Sequence, residues 1–195
     1  TFSKIKIKMV DFLLPFYTHD SLEINEKRKL QEMSKLWLDE LFNVWINNES
    51  YHKIKIRIFE DAIQSIITKV PKTDWFGQNS ISYLVMEADG TFDILDHLKV
   101  IGSNSSQLRS LNCTIFDRSI SEAVNMAMNK SQQFKIFNLP DSCSICKWST
   151  SCGGGYIPHR YSKEKNFNNS SFYCDTLYNI FENSQKFLQK NVGTK

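Results

Sequence analysis

Four cysteines within 32 residues constrain this chain more than any other feature. They run Cys143-Ser-Ile-Cys146-Lys-Trp-Ser-Thr-Ser-Cys152-Gly-Gly-Gly, with Cys174 following after 21 intervening residues. The fifth cysteine, Cys113, stands apart in Leu-Asn-Cys-Thr-Ile-Phe and reads as a small buried hydrophobe. An odd count with local clustering argues against a secreted disulfide framework and for a metal site in a reducing compartment. Four thiolates complete the coordination of a [4Fe–4S] cluster or of a tetrahedral zinc ion. The C-x2-C step lets two neighbouring thiolates reach one metal or one cluster corner. The third cysteine, after five more residues, suits the wider span of a cluster, and structural zinc sites more often pair two such steps. Spacing alone leaves iron–sulfur and zinc both open.

Gly153, Gly154 and Gly155 follow the third ligand candidate. Glycines adopt positive φ and let backbone approach closely, so successive N–H groups can face sulfide or thiolate charge. They can equally form a plain flexible turn. Trp148, inside the same loop, is placed to keep water from a bound group. Arg160 can compensate the charge of a cluster or hold a peptide carboxylate, or it can tie the loop to Asp175. His159 reads as an exposed loop residue.

The rest of the chain reads as alternating strands and helices. The Lys-Ile-Lys-Ile-Lys run at 4–8 and the apolar Val10-Asp11-Phe12-Leu13-Leu14 describe a strand with one wet face that enters a buried sheet and stops at Pro15. Leu30, Met33, Trp37, Leu41 and Val44 recur at helical spacing, which predicts a helix over about residues 25–47 with the Met33, Trp37 and Leu41 stripe in the core. A short strand over Tyr51–Ile56 and a helix carrying Ile58, Ala62, Ile63 and Ile66 come next. The pattern fits part of an α/β layer structure. Residues 70–80, with Pro71, Gly77, Asn79 and Ser80, mark a boundary between segments 1–75 and 76–195. Beyond it, Ile81–Ala88, the turn Asp89-Gly90 and Thr91–Leu95 spell a β-hairpin. Gly102–Ser106 reads as a loop. Ser119-x-x-Glu122 is a capping box opening a helix with Ile120, Val124 and Met128 on one side. Asp175 starts a final helix carrying Leu177, Phe181 and Leu188.

Composition excludes several functions. The net charge of +3 is too small to argue for nucleic acid or a membrane surface. No run approaches the roughly 18 apolar residues that span a bilayer, and no signal peptide is visible. The expected location is the cytoplasm. Asp11, His19 and Asp20 sit at or beyond the end of the first predicted strand. That end faces the active site in barrel enzymes, although a solvated loop accounts for them as well.

At 139–177 the residues resemble the C-terminal SPASM-type region of radical-SAM peptide maturases, most closely the cyclophane-forming type. The likeness rests on Cys143-x-x-Cys146-x5-Cys152-Gly-Gly-Gly-Tyr-Ile-Pro-His159-Arg160-Tyr161-Ser162 and on Asn169-Ser-Ser171-Phe-Tyr173-Cys174-Asp175-x-Leu177. Glu87–Leu98 resembles the hairpin that precedes the cluster loop, and Val10–Pro15 a late barrel strand. The resemblance implies an α/β fold, the tail of a partial (β/α)6 barrel in 1–75, followed in 76–195 by a small α+β SPASM-like auxiliary-cluster domain. It implies Cys143, Cys146, Cys152 and Cys174 as ligands of one auxiliary [4Fe–4S] cluster, with Gly153, Gly154, Gly155 and Arg160 around it. A second auxiliary cluster is not expected, because Asp96 or its neighbours and Tyr156 stand where its cysteines belong.

The C-x3-C-x2-C motif that ligates the cluster cleaving S-adenosylmethionine does not occur in this sequence, which opens on Thr1. The expectation is therefore the C-terminal portion of an enzyme that modifies, and most simply crosslinks, a ribosomally made precursor peptide. S-adenosylmethionine and a further [4Fe–4S] cluster would belong to a missing N-terminal half. An electron donor or acceptor protein would be a partner, and this portion alone would be inactive. A zinc-stabilised, non-catalytic peptide-binding module is the alternative, and a free-standing electron carrier is disfavoured by the sheet fragment in 1–70.

Overall fold

The computed structural model describes residues 7–77, 81 and 83–192. The first predicted strand is shorter than the alternation suggested: β1 is Met9–Val10, and Lys4, Ile5 and Lys6 lie outside the described residues. It pairs in parallel with β2, Lys55–Ile56, in the register Met9↔Lys55 and Val10↔Ile56. Parallel strands need a long crossover. Helix α1, Ile24–Asn47, supplies it, and α2, Arg57–Thr68, leaves β2 directly. The first half of the predicted 51–56 strand is instead a 3-10 turn, Ser50–His52.

The buried face of α1 is only partly the predicted one: Leu30 and Leu41 pack against the core as expected. Met33 and Trp37 are 57% and 49% exposed, while Ser34, Leu38, Phe42 and Trp45 are buried. Two apolar stripes at helical spacing share this helix, and packing chooses between them. The ring of Phe42 meets Phe59 of α2 edge-on at 4.9 Å, and Trp45 Nε1 donates to the Ile54 carbonyl. The last helix, α6 (Cys174–Val192), lies against both α1 and α2. Asn179 and Asn183 on α6 donate to Asp39 Oδ1 on α1. One core therefore joins Leu38, Phe42 and Phe59 with Trp148, Leu177 and Phe181.

A second core sits on an antiparallel sheet of β3 (Val85–Met86), β4 (Thr91–Asp93) and β5 (Ser110–Thr114), in that order. The Asp89-Gly90 hairpin forms. Gly90 takes φ +84 and donates its N–H to the Glu87 carbonyl, and Asp89 Oδ1 accepts from Thr91 N at 2.9 Å. The predicted loop at 102–106 starts at a break, Gly102 with φ +77, between two 3-10 turns within Asp96–Asn104, and then becomes helical in α3, Ser105–Arg109. Helix α4, Ile120–Gln133, carries the full capping box between Ser119 and Glu122. It buries Ala123, Ala127 and Ser131 and leaves Ile120, Val124 and Met128 exposed, since small side chains let the helix lie close to its neighbours. Cys113 is buried on β5 beside Met126.

Candidate metal centre

Each cysteine of the cluster loop is fixed by a short turn. Cys143 ends a 3-10 turn, Asp141–Cys143, and Cys152 ends α5, Ser149–Cys152. Cys174 opens α6. Cys146 N bonds back to the Cys143 carbonyl at 3.1 Å, and Cys152 N to the Trp148 carbonyl at 2.7 Å. These turns gather Cys143, Cys146, Cys152 and Cys174 around one cavity, walled by Trp148, Gly154, Ser171, Leu177, Tyr178 and Phe181. Trp148 is buried, stacks on Phe181 at 5.4 Å and donates Nε1 to Glu182. Among the described residues no three His, Cys, Asp or Glu side chains are drawn closely enough to hold a single metal ion. The thiols line a space instead of meeting at a point.

The surroundings make three of these thiols, Cys143, Cys152 and Cys174, weaker acids. Burial, reinforced by neighbouring Cys174 and Cys143, pushes Cys152 up to about 12. Burial and Cys143 push Cys174 up to about 11, and burial raises Cys143. Two local features act the other way. The Gly154 N–H bonds toward the Cys152 sulfur and favours its thiolate. Cys174 sits at the N-terminus of a 19-residue helix, where the backbone dipole favours negative charge. Of the other glycine N–H groups, Gly153 bonds the Ser149 carbonyl and Gly155 the Cys152 carbonyl. Gly153 has a further task. Its backbone crosses that of Gly77 so closely that a Cβ on Gly77 would lie 2.4 Å from Gly153 O.

His159 and Arg160 are not on an exposed loop. They belong to a 3-10 turn, Ile157–Arg160, and each is 1% exposed. The His159 ring packs against Tyr173 at 4.9 Å and Tyr156 at 5.0 Å, and burial pushes it down to about 4. Arg160 Nε and Nη2 donate to the Phe167 carbonyl, and Nη2 also to the Asn138 carbonyl. Among the described residues no carboxylate pairs with it, so the predicted tie to Asp175 is absent.

The segment after β1 is fastened to the cysteine loop. His19 Nε2 meets the Ser170 carbonyl at 2.8 Å, and Lys163 N donates to Asp20 at 2.7 Å. Tyr173 donates its hydroxyl proton to the Pro15 carbonyl. His19 and Asp20 thus tie the segment after β1 to residues 163 and 170 of the cysteine loop. Asp11 pairs with Arg57 at 3.3 Å beyond the carboxyl ends of β1 and β2. There a pocket of about 230 Å³ is lined by Asp11, Leu13, Phe16, Arg57, Asp74, Trp75 and Tyr156. Ligands of parallel sheets bind at that end. Only Asp11 of this group stood out by its place after a strand. Arg57 was hidden because it begins a helix.

No family model matches the chain. It is 23% identical over 184 residues to the cysteine-type anaerobic sulfatase-maturating enzyme of Clostridium perfringens (strain 13 / Type A), covering 90% of this chain and 45% of that enzyme. Its structure is similar to native anSMEcpe with bound AdoMet, with TM-score 0.64, 22% identity, and coverage of 94% of this chain and 46% of that one. The same enzyme with AdoMet and the Cp18Cys peptide matches at TM-score 0.64 and 22% identity over 93% and 46%. The chain therefore has the mixed α/β fold of part of that sulfatase-maturating enzyme and is similar to it in sequence at low identity over most of its own length. It spans less than half the length of the curated relatives it matches.

Proposed function

We propose that this chain is the auxiliary-cluster portion of a radical-SAM enzyme that modifies a ribosomally made peptide, with the SPASM-like region of 76–195 set against barrel elements of 1–75. The observation that carries the reading is the ring of Cys143, Cys146, Cys152 and Cys174 around one apolar cavity. An all-thiol donor set with no oxygen or nitrogen ligand suits soft metal centres. Thiols spread around a space favour a [4Fe–4S] cluster over a single zinc ion, whose four ligands would meet at one point. Bound there, the cluster would supply one-electron transfer.

The chain's own residues do the rest. The four cysteines hold the cluster, and Trp148, Leu177 and Phe181 exclude water from it. The Gly153–Gly155 turn directs the Gly154 N–H at Cys152. Arg160 adds a cation behind the loop. The pocket at the ends of β1 and β2 is the place for a peptide side chain, and relatives of similar fold have been solved with bound peptides. S-adenosylmethionine and its own cluster would be held elsewhere in a longer polypeptide, and an electron-carrier protein would exchange electrons with the auxiliary cluster. The exposed Met33, Leu36 and Trp37 on α1 give such a remainder an apolar surface to cover. The sequence likeness to cyclophane-forming enzymes favours crosslinking as the modification.

The test is metal content after anaerobic reconstitution. About four irons and four sulfides per chain with visible absorption, lost in Cys143→Ala and Cys152→Ala, is the expected result. One tightly held zinc and no iron would overturn the redox reading in favour of a zinc-stabilised peptide-binding module.

A further inference from the structure

We propose that the Arg160 guanidinium is the built-in counter-ion of the group held by the four cysteines, so that it lifts that group's reduction potential and makes the native packing depend on the group being bound. The inference rests on the function proposed above and assigns Arg160 a specific electrostatic role.

Arg160 is the largest of the fully buried side chains, 1% exposed. A buried charge is costly unless it is paired. Its donors meet only carbonyl dipoles, those of Phe167 and Asn138. None of the seven ion pairs among the described residues includes it. Gly154, next to it, lines the cavity of the four cysteines. Its stem runs behind the glycine turn of the same loop: a Cβ on Gly154 would stand 3.6 Å from Arg160 Cδ. The guanidinium is thus anchored by two carbonyls, its stem packs behind Gly154 of the cavity wall, and no carboxylate among the described residues pairs with it.

Among the described residues no carboxylate meets the guanidinium, so the empty cavity offers it no anionic partner. Ligation converts all four thiols to thiolates, and the loaded [4Fe–4S] centre carries net negative charge that grows by one on reduction. A fixed cation behind it stabilises the loaded state over the empty one, and the reduced state over the oxidised one. Net charge around a cluster is among the factors that set its potential.

The experiment compares wild type, Arg160→Gln and Arg160→Lys, each with and without the reconstituted metal. Glutamine keeps amide donors for the two carbonyls and removes the charge; lysine keeps the charge. Urea unfolding is measured on both forms, and an anaerobic redox titration followed by electron paramagnetic resonance on the iron-loaded form. Arg160→Gln is expected to lower the stability of the loaded chain much more than that of the empty one. It is also expected to reduce the equilibrium constant for cluster reduction about tenfold, a fall of about 59 mV for one electron, with Arg160→Lys returning most of it. Equal destabilisation of loaded and empty forms, or an unchanged potential at full iron content, would overturn the counter-ion role and leave Arg160 a structural tie. If Arg160→Gln does not fold when empty but folds when loaded, the charge is not the burden supposed, which also overturns it. A chain that takes zinc and no iron refutes the redox function separately. The loaded-minus-empty stability difference then still decides the counter-ion role.

Discussion

Lowering the pH tests the burial of His159 directly. Its ring is held among Trp75, Tyr156 and Tyr173, and Nε2 is buried without a hydrogen-bond partner. Burial pushes its pKa from 6.5 down to about 4, against an opposing pull from the Pro15 carbonyl. In the unfolded chain the ring titrates near its ordinary value. A group whose folded pKa is depressed contributes stability that is fully present above the unfolded pKa and is lost as pH falls toward the folded one. The gap between 6.5 and about 4 corresponds to roughly 3 kcal/mol, most of it gone by about pH 4.5. The assay is urea unfolding of the metal-free chain between about pH 7 and 4.5, for wild type and His159→Phe. The rest of the chain is common to both proteins, so its contribution largely cancels in the comparison. The wild type should lose roughly 2–3 kcal/mol more than the variant over that range. Parallel pH profiles would refute the claim that His159 is buried as the neutral ring.

Other perturbations test the frame around the site. Phe42→Ala should cost about 3–5 kcal/mol in urea unfolding, while Trp37→Ser should change stability by less than about 1 kcal/mol, because the first ring is buried and the second half exposed; equal losses would reverse the assignment of the buried face of α1. Gly77→Ala should unfold the chain or halve its metal loading on reconstitution, since the new methyl group meets Gly153 O at 2.4 Å and φ at Gly77 is +55; normal loading and a normal melting temperature would show that the two backbones do not cross there. Ser119→Ala should cost about 1 kcal/mol, because Glu122 N loses the Ser119 Oγ acceptor while the backbone N–H at position 119 keeps its bond to Glu122 Oε2, read as a lower urea midpoint.

What the sequence reveals about this molecule depends on how far apart in the chain the deciding contacts lie. The four cysteines and the turn after them are legible because thiol chemistry and glycine conformation are local properties, written into adjacent positions. Helices α1, α2, α4 and α6 are legible for the same reason, down to the Ser119–Glu122 cap. Which face of α1 is buried is not local. Met33 and Trp37 on one side compete with Leu38, Phe42 and Trp45 on the other, and α6 decides the outcome from 140 residues away, through Asn179 and Asp39. Strand β5 was missed although Ser110, Leu111, Asn112 and Cys113 alternate, because Asn112 takes φ +53 and the pairing with β4 is irregular. His159 looks like a solvated loop residue in isolation, and neither its burial nor that of Arg160 is written into adjacent positions. Both are buried because Tyr173, Trp75 and Phe167 close over them. A fold that hides an arginine from water without giving it a carboxylate must supply its anion from elsewhere. In this molecule Arg160 packs behind Gly154, which lines the cavity of Cys143, Cys146, Cys152 and Cys174, so the burial that the sequence concealed points back to the four cysteines that it displayed.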